Sequence, residues 1–549
     1  MAIEKLMLIE GMSCVDCEKT IAKALTGAGA QQVKVSWRDG RAMLDAAGTS
    51  DDKLKAAVEE AGYRVVSIEA ARREKRESAP LVGDKTNDYD LVVIGSGSAA
   101  FSAAIQASES GHKVALVESN VVGGTCVNVG CVPSKAMLAP ADHFHRAAHH
   151  PFTGIATAAR SFDLGQMVES KAALVDHLRQ EKYLDLAATY AFPILHGRAQ
   201  FTDAETLDCG GEAIRATRYI VATGASPSVP PIPGLAASEY LTSTTALELR
   251  EAPKHLIVLG AGPVALEMGQ LFLHLGSQVT FITRGEIASR EEPETSEVLR
   301  SVLEEEGATI HTRAEVIKVS SQGEVKTVLI RAGGGQLHVS GDRILVATGR
   351  RPNTAGLGLE RAGIETTARG AVRVDEFLST TNPRVWAAGD VTGHPQFVYL
   401  AAREGNAAAR NALEDAQVKL DLRSLPRVIF MSPTFAAAGL TDKQANEQGI
   451  ECECRVLPMS AVPRALVNRD TRGFVKIVAE RATGRIVGAS VVADGAGDVI
   501  QAAVYAIQFG LTTDAVADTW APYLTFAEAF KLAAQTFKRD VSKLSCCAA

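Results

Sequence analysis

The sequence lacks a long hydrophobic run. Its most apolar later stretch, His255 to Leu273, is broken by Gly260, Gly262, Pro263 and Glu267, which argues against a membrane span. The opening residues, MAIEKLMLIEGM, have no basic start followed by an apolar core, so no secretory signal is read there. No dense basic stripe is present and the formal net charge is -7, which makes nucleic acid a poor partner. Cysteine is sparse: nine in 549 residues is too few for a disulfide scaffold. These absences predict a cytoplasmic protein. The cysteines that do occur cluster in three tight pairs, Cys14/Cys17, Cys126/Cys131 and Cys546/Cys547, a pattern of redox or soft-metal chemistry. Hydrophobic residues at 46% and charged residues at 22% are ordinary for a globular chain, and the length predicts three or four domains.

Residues 1–69 read as a small α/β unit. Leu6 to Glu10, Gln32 to Ser36, Arg41 to Asp45 and Tyr63 to Ile68 are strand-like, and Cys17 to Thr26 and Asp51 to Ala61 are helical. The order βαββαβ predicts a ferredoxin-like arrangement. Residues 70–88 are charged, contain Pro and Gly and lack apolar periodicity, as in a flexible linker. From Asp90 the pattern is α/β, with two strand–glycine–helix units, YDLVVIGSGSAA and HLIVLGAGPVALEMG. After Leu425 it changes to strands such as Phe474 to Val478 and Ile486 to Val492, with a helix from Asp498 to Phe509, as in a separate α+β domain.

The first unit places Gly95, Gly97 and Ala100 between a strand and a helix. Glycines there let the backbone approach a pyrophosphate at the helix N-terminus. Glu118 ends the next strand, where a carboxylate can bond a ribose hydroxyl. The second unit carries Gly260, Gly262 and Ala265, but its following strand ends without an acid. Arg284 and Arg290 come next, and cations there suit the 2′-phosphate of NADPH; two solvated loop arginines are the alternative.

The segment GGTCVNVGCVPSK holds Gly124, Thr125, Cys126, Cys131 and Lys135. At a helix start the dipole favours thiolate, and a thiolate beside a flavin exchanges electrons with it. Taken alone, the two cysteines also fit a buried structural pair. This segment resembles the active-site disulfide of the flavoprotein disulfide reductases, the family of glutathione reductase and lipoamide dehydrogenase. Further matches are Thr223-Gly224, Thr348-Gly349 and Ala388-Gly389-Asp390, over about residues 88 to 540. The resemblance implies FAD and NADPH as cofactors, with Asp390 on the flavin's ribityl chain. It further implies Cys126 as the exchanging thiol, Cys131 against the flavin, and Lys135 with Glu267 near the flavin and nicotinamide. The implied domains are a first FAD-binding part at 89–249, an NADPH-binding domain at 250–350, a second FAD-binding part at 351–424, and a dimerisation domain at 425–549. The fold class is therefore α/β, with two Rossmann-like domains and a C-terminal α+β dimerisation domain.

Disulfide reductases of this family carry a C-terminal His-Pro-Thr-x-x-Glu segment whose His serves the partner's site. Here the aligned stretch runs from Tyr523 to Glu528, and Tyr523 replaces the His. A phenol with a reference pKa of about 10 is a poor proton shuttle near neutrality. The tail SKLSCCAA instead offers Cys546 and Cys547, two thiols suited to a soft cation or two incidental surface thiols. The pair resembles the branch of the family that reduces Hg(II). GMSCVDC, with Cys14 and Cys17, and Gly62-Tyr63 resemble heavy-metal-associated domains. In the Hg(II)-reducing branch a tyrosine spaced like Tyr183 lies by the metal. The Asp142–His150 histidines read as a solvated helix end, Cys452 and Cys454 as packing residues on one strand face, and Cys209 as structural.

The resemblance thus implies a homodimer with shared active sites that reduces Hg(II)-thiol complexes. The ion would pass from Cys14/Cys17 to Cys546/Cys547, then to Cys126/Cys131 of the other protomer, with small thiols or a membrane importer as its source. The alternative is a disulfide reductase of the glutathione or thioredoxin reductase type with an accessory metal-binding domain.

Overall fold

The computed structural model describes residues 4–12, 15–36, 40–46, 48–70 and 88–540. Cys14, Cys546, Cys547 and nearly all of the expected linker lie outside these residues. The chain forms two compact units, Met1–Val82 and Gly83–Ala549.

In the first unit, strands Glu4–Glu10, Gln31–Ser36, Arg41–Asp45 and Arg64–Ala70 form one antiparallel sheet in the order second, third, first, fourth. Helices Val15–Gly27 and Asp51–Glu60 complete the βαββαβ order. Side-chain periodicity explains the core. Ile21 and Leu25, then Leu54 and Val58, sit four apart on one helix face, while Ala42 and Leu44 alternate with exposed Met43 on a strand.

The second unit opens with strand Tyr89–Ile94, whose Leu91 to Ile94 are all buried. Such a continuous apolar run is what a parallel strand covered on both faces requires. It lies between Val114–Glu118 and Glu212–Val221, with Ile194–His196 beyond the former. Val385–Ala387 returns from far along the chain to pair in parallel with Glu212–Val221, setting Trp386 opposite Ile220. Helix Ser98–Glu109 packs closely on Val398–Glu414, because a Cβ on Gly405 would lie 2.0 Å from the Ala99 carbonyl oxygen.

Between these parts sits a second parallel sheet, in the order Thr309–His311, Gln278–Ile282, His255–Leu259, Arg343–Val346. The C-terminal part is a five-stranded antiparallel sheet in the order Pro426–Ile429, Thr434–Gly439, Ile486–Ala493, Phe474–Glu480, Cys452–Pro458. One face packs on helices Ala496–Gln508 and Ala527–Gln535. On the other face, Phe435, Phe474 and Val492 share a core with Met268, Leu271 and Phe272 of helix Pro263–His274. At the same junction Lys476 is buried among Glu292, Glu294 and Asp442, whose carboxylates offset the cost of burying its charge. No described helix is long and apolar enough to cross a membrane.

One expectation is corrected. His143 and His149 are exposed, but His145 is not part of a solvated helix end. Its ring stacks on buried His274 at 4.1 Å and 10°, and His274 Nε2 lies 3.2 Å from a Glu306 carboxylate oxygen. Burial and the neighbouring His274 push the His145 pKa down to about 4. These three residues bring their ligand atoms within 4.8 Å of one another. The stacking nevertheless leaves the two rings' in-plane lone pairs side by side and not convergent on one ion.

Candidate active site

The turn after strand Tyr89–Ile94 is built for close approach. Gly95 has φ +118, and a Cβ there would lie 2.4 Å from the Ala222 carbonyl oxygen. Gly97 caps helix Ser98–Glu109, and a Cβ on Gly124, at φ +66, would lie 2.5 Å from Gly97 Cα. Ala100 is fully buried against the sheet. Any side chain at these glycines would fill the cradle that a pyrophosphate needs at a helix N-terminus. At the end of strand Val114–Glu118, Glu118 accepts from the Ser96 hydroxyl and from the Asn120 N–H. Across the sheet, Thr223 donates to the Asn353 carbonyl, and Asn353 N–H donates back to Gly224 O. Asp390 lies 3.8 Å from Arg350, and burial raises its carboxyl above the usual range against the pull of that cation. The cradle and its acids fit FAD.

The thiol pair sits beside it. Cys126 lies in the short helix Gly124–Asn128 and is half-buried; Cys131 is exposed at the first position of helix Cys131–Ala148. The hydrogen bond from Cys126 lowers the Cys131 pKa to about 7, with Lys135 assisting against burial. The same hydrogen bond, together with burial, raises the Cys126 thiol. Above about 7 the pair thus holds one thiolate and one thiol. Tyr183, in a wide helical turn, packs its ring on Phe101 at 4.8 Å, and a Cβ on Gly123 would lie 3.6 Å from it. Burial raises its phenol, and both cysteines add to the shift, which places the phenol in their field. Lys135 reaches Glu267 at 2.7 Å.

At the second nucleotide unit, Gly260 has φ +121, and a Cβ there would lie 2.3 Å from the Ala347 carbonyl oxygen. Gly262 caps helix Pro263–His274, with open space where its Cβ would stand, and Ala265 is buried behind it. Gly349 adopts φ +120 beyond the neighbouring strand. Arg284 and Arg290 follow strand Gln278–Ile282, exposed and without a hydrogen bond or ion pair among the described residues. Two open cations beside an accessible glycine turn fit NADPH.

Tyr523 is exposed on the C-terminal part, and Cys17 is half-buried near the start of helix Val15–Gly27. Glu528 keeps one buried oxygen without a hydrogen-bond partner among the described residues. The structure also adds residues that motif reading missed. The Phe430 N–H donates to Glu267, and the Phe430 ring lies 4.2 Å from the Lys135 ammonium. Buried Glu404 accepts from the Gly389 N–H and pairs with His394 at 2.6 Å, next to Asp390. No local pattern marks these contacts, since each partner lies on a different element.

Two nucleotide-binding folds in series, a split thiol pair at a helix start and an antiparallel C-terminal domain define a flavin-dependent, pyridine-nucleotide reductase. Residues 89–405 match the pyridine nucleotide-disulphide oxidoreductase family, and residues 425–534 match its dimerisation domain. A mercuric reductase from Staphylococcus aureus is 47% identical over 98% of both chains. One from Streptomyces lividans is 53% identical over 84% of this chain and 98% of its own. Among solved structures, the HOCl-induced flavoprotein disulfide reductase RclA from Escherichia coli, in a Cu(II) complex, superposes with a TM-score of 0.74 at 30% identity, covering 82% of this chain and all of its own. The chain belongs to the mercuric reductase family of pyridine nucleotide-disulphide oxidoreductases, and FAD and NADPH are its cofactors.

Proposed function

We propose that this chain reduces thiol-bound Hg(II) to Hg(0) at Cys126 and Cys131. The observation that carries the reading is the split thiol pair: a Cys131 thiol lowered to about 7 beside a raised Cys126 thiol. At neutral pH the pair offers one thiolate to attack a mercury–thiolate complex and one proton for the departing thiol. Cys126, the exchanging thiol that the family resemblance implies, then makes the second exchange, because the lowered thiol makes Cys131 the first to attack; this releases the other carrier thiol and leaves the ion bridged by two protein sulfurs. Two electrons then reduce Hg(II), both Hg–S bonds break, and both cysteines return as thiolates. When bound, FAD relays these electrons from NADPH. Lys135 and Glu267 hold a fixed charge pair near the sulfurs, and Tyr183 walls the metal side with a phenol that stays protonated. Tyr523 stands where disulfide reductases keep an acid–base His, so the site favours metal exchange over disulfide chemistry.

Delivery extends the reading. The first unit acts as a ferredoxin-like heavy-metal-associated domain that captures Hg(II) at Cys14 and Cys17, and residues 70–88 tether it. Cys546 and Cys547 take the ion from small thiols, from a membrane importer or from that domain. In a cytoplasmic homodimer they pass it to the partner subunit's Cys126 and the partner subunit's Cys131. The assay is NADPH oxidation with Hg(II)–glutathione, oxidised glutathione or lipoamide as acceptor, while mercury vapour is trapped. Vapour and turnover only with Hg(II) are expected; turnover only with a disulfide makes the chain a disulfide reductase.

A further inference from the structure

The edge strand Cys452–Pro458 carries a thiol pair that the reaction does not use. Residues two apart on a strand face the same way, and Cys452 and Cys454 bring their Sγ atoms to 3.9 Å. Both thiols are half-exposed, so they do not serve merely as packing. Cys452 Sγ also lies 3.8 Å from Asn446 Oδ1 and 3.9 Å from the Asp442 carbonyl, both on the adjacent helix Asp442–Glu447. The pair therefore sees solvent on one side and two oxygen donors on the other.

We propose that Cys452 and Cys454 form a second Hg(II) site, remote from the flavin-side pair, where the ion is held and not reduced. The choice of Hg(II) rests on the proposed activity; the thiol geometry does not. In a tetrahedral zinc site a metal–sulfur bond of about 2.3 Å sets sulfurs about 3.8 Å apart, and a linear dithiolate of the same bond length sets them about 4.6 Å apart; the larger Hg(II) lengthens both. The observed 3.9 Å suits a bent dithiolate, with Asn446 or the Asp442 carbonyl as a weak third ligand. A disulfide fits less well. Strand residues two apart have Cα atoms about 6.6 Å apart, near the upper end of what a disulfide spans. Loading is thiol exchange: two protein thiols replace two carrier thiols on Hg(II), and no electron moves.

The test uses the full FAD-loaded chain with Cys14, Cys17, Cys126, Cys131, Cys546 and Cys547 all changed to Ala. The chain is equilibrated with Hg(II) chloride in excess glutathione, desalted, and analysed for metal and for FAD absorbance. About one mercury per chain is expected, because one dithiolate takes one soft ion. Adding Cys452→Ala or Cys454→Ala should weaken retention at least tenfold in each case, with FAD content unchanged. Loss of less than half the metal on either change overturns the proposal, and so does retention below one-tenth of an equivalent before it. A single change that sheds FAD is replaced by the corresponding Ser variant and read in the same way. Binding is scored without turnover, so a wild-type chain that fails to make mercury vapour leaves this result independent of the proposed activity.

Discussion

Lys135 and Glu267 meet at 2.7 Å although they lie 132 residues apart, one on the helix that begins with Cys131 and the other on the helix after the second glycine turn. Glu267 is nearly buried, and its second oxygen takes the Phe430 N–H. The ammonium is thereby fixed, and it is one of the groups that lower the Cys131 thiol.

Reduced protein should alkylate at Cys131 ahead of Cys126. Cys131 is thiolate above about 7 and thiol below it, so its rate with iodoacetamide should fall close to tenfold per pH unit below that value. Lys135→Met removes a lowering charge and should move the midpoint upward. Peptide mass spectrometry across about pH 5 to 9, two decades of proton activity on either side of about 7, reads both rates. A midpoint unmoved by Lys135→Met would refute the electrostatic coupling.

Acid should loosen the junction around His145. Its folded pKa of about 4 lies below the ordinary 6.5, so the unfolded chain binds a proton that the folded chain refuses. The neutral ring's contribution is complete above 6.5 and is lost as pH falls from there toward about 4. His274, Glu306, His149 and Asp142 all act on this ring. His145→Phe keeps a stacking surface and removes the titration, so its melting temperature should fall less steeply than that of the unaltered chain between pH 6.5 and about 4. Parallel curves would assign the acid sensitivity to other groups.

Arg284 and Arg290 should set coenzyme choice. A charge-assisted contact to the 2′-phosphate contributes about 1.5–3 kcal/mol, so changing both to Ala should raise the KM for NADPH at least tenfold. The KM for NADH should stay within about twofold, since NADH has no phosphate there. Equal losses with both coenzymes would give the arginines a structural role.

Complementation tests the shared site. A chain with Cys126 and Cys131 changed to Ala, co-expressed with one altered at Cys546 and Cys547, gives a mixed dimer with one complete site and one empty of thiols. About half of the unaltered activity should return with Hg(II) on bulky thiols, provided the sites act independently. A purified mixed dimer without recovery means that each tail serves its own chain.

Local patterns announce the parts of this molecule that are local. Tyr89 to Ile94 reads as a buried strand, Gly95 and Gly97 as its turn, and Cys126 with Cys131 as a redox pair, because each signal sits within a few residues. The support around them is assembled from afar. His145 reads as a solvated residue until the fold sets His274 and Glu306 on it; Arg350 gains meaning only beside Asp390, and Phe430 only over Lys135. The Cys452/Cys454 pair was visible as spacing, but its exposure and sulfur contact depend on the strand lying at the sheet's edge.

The return of Val385–Ala387 to the first sheet carries a consequence for biosynthesis. A ribosome delivers Tyr89–Ile94 almost three hundred residues before the strand that closes its sheet, while all four strands of the intervening parallel sheet are delivered within residues 255–346. That second sheet can therefore condense first on the nascent chain and shorten the loop between the two parts of the first sheet. Stalled chains ending before residue 385 should resist proteolysis across residues 255–346 yet fail to retain flavin.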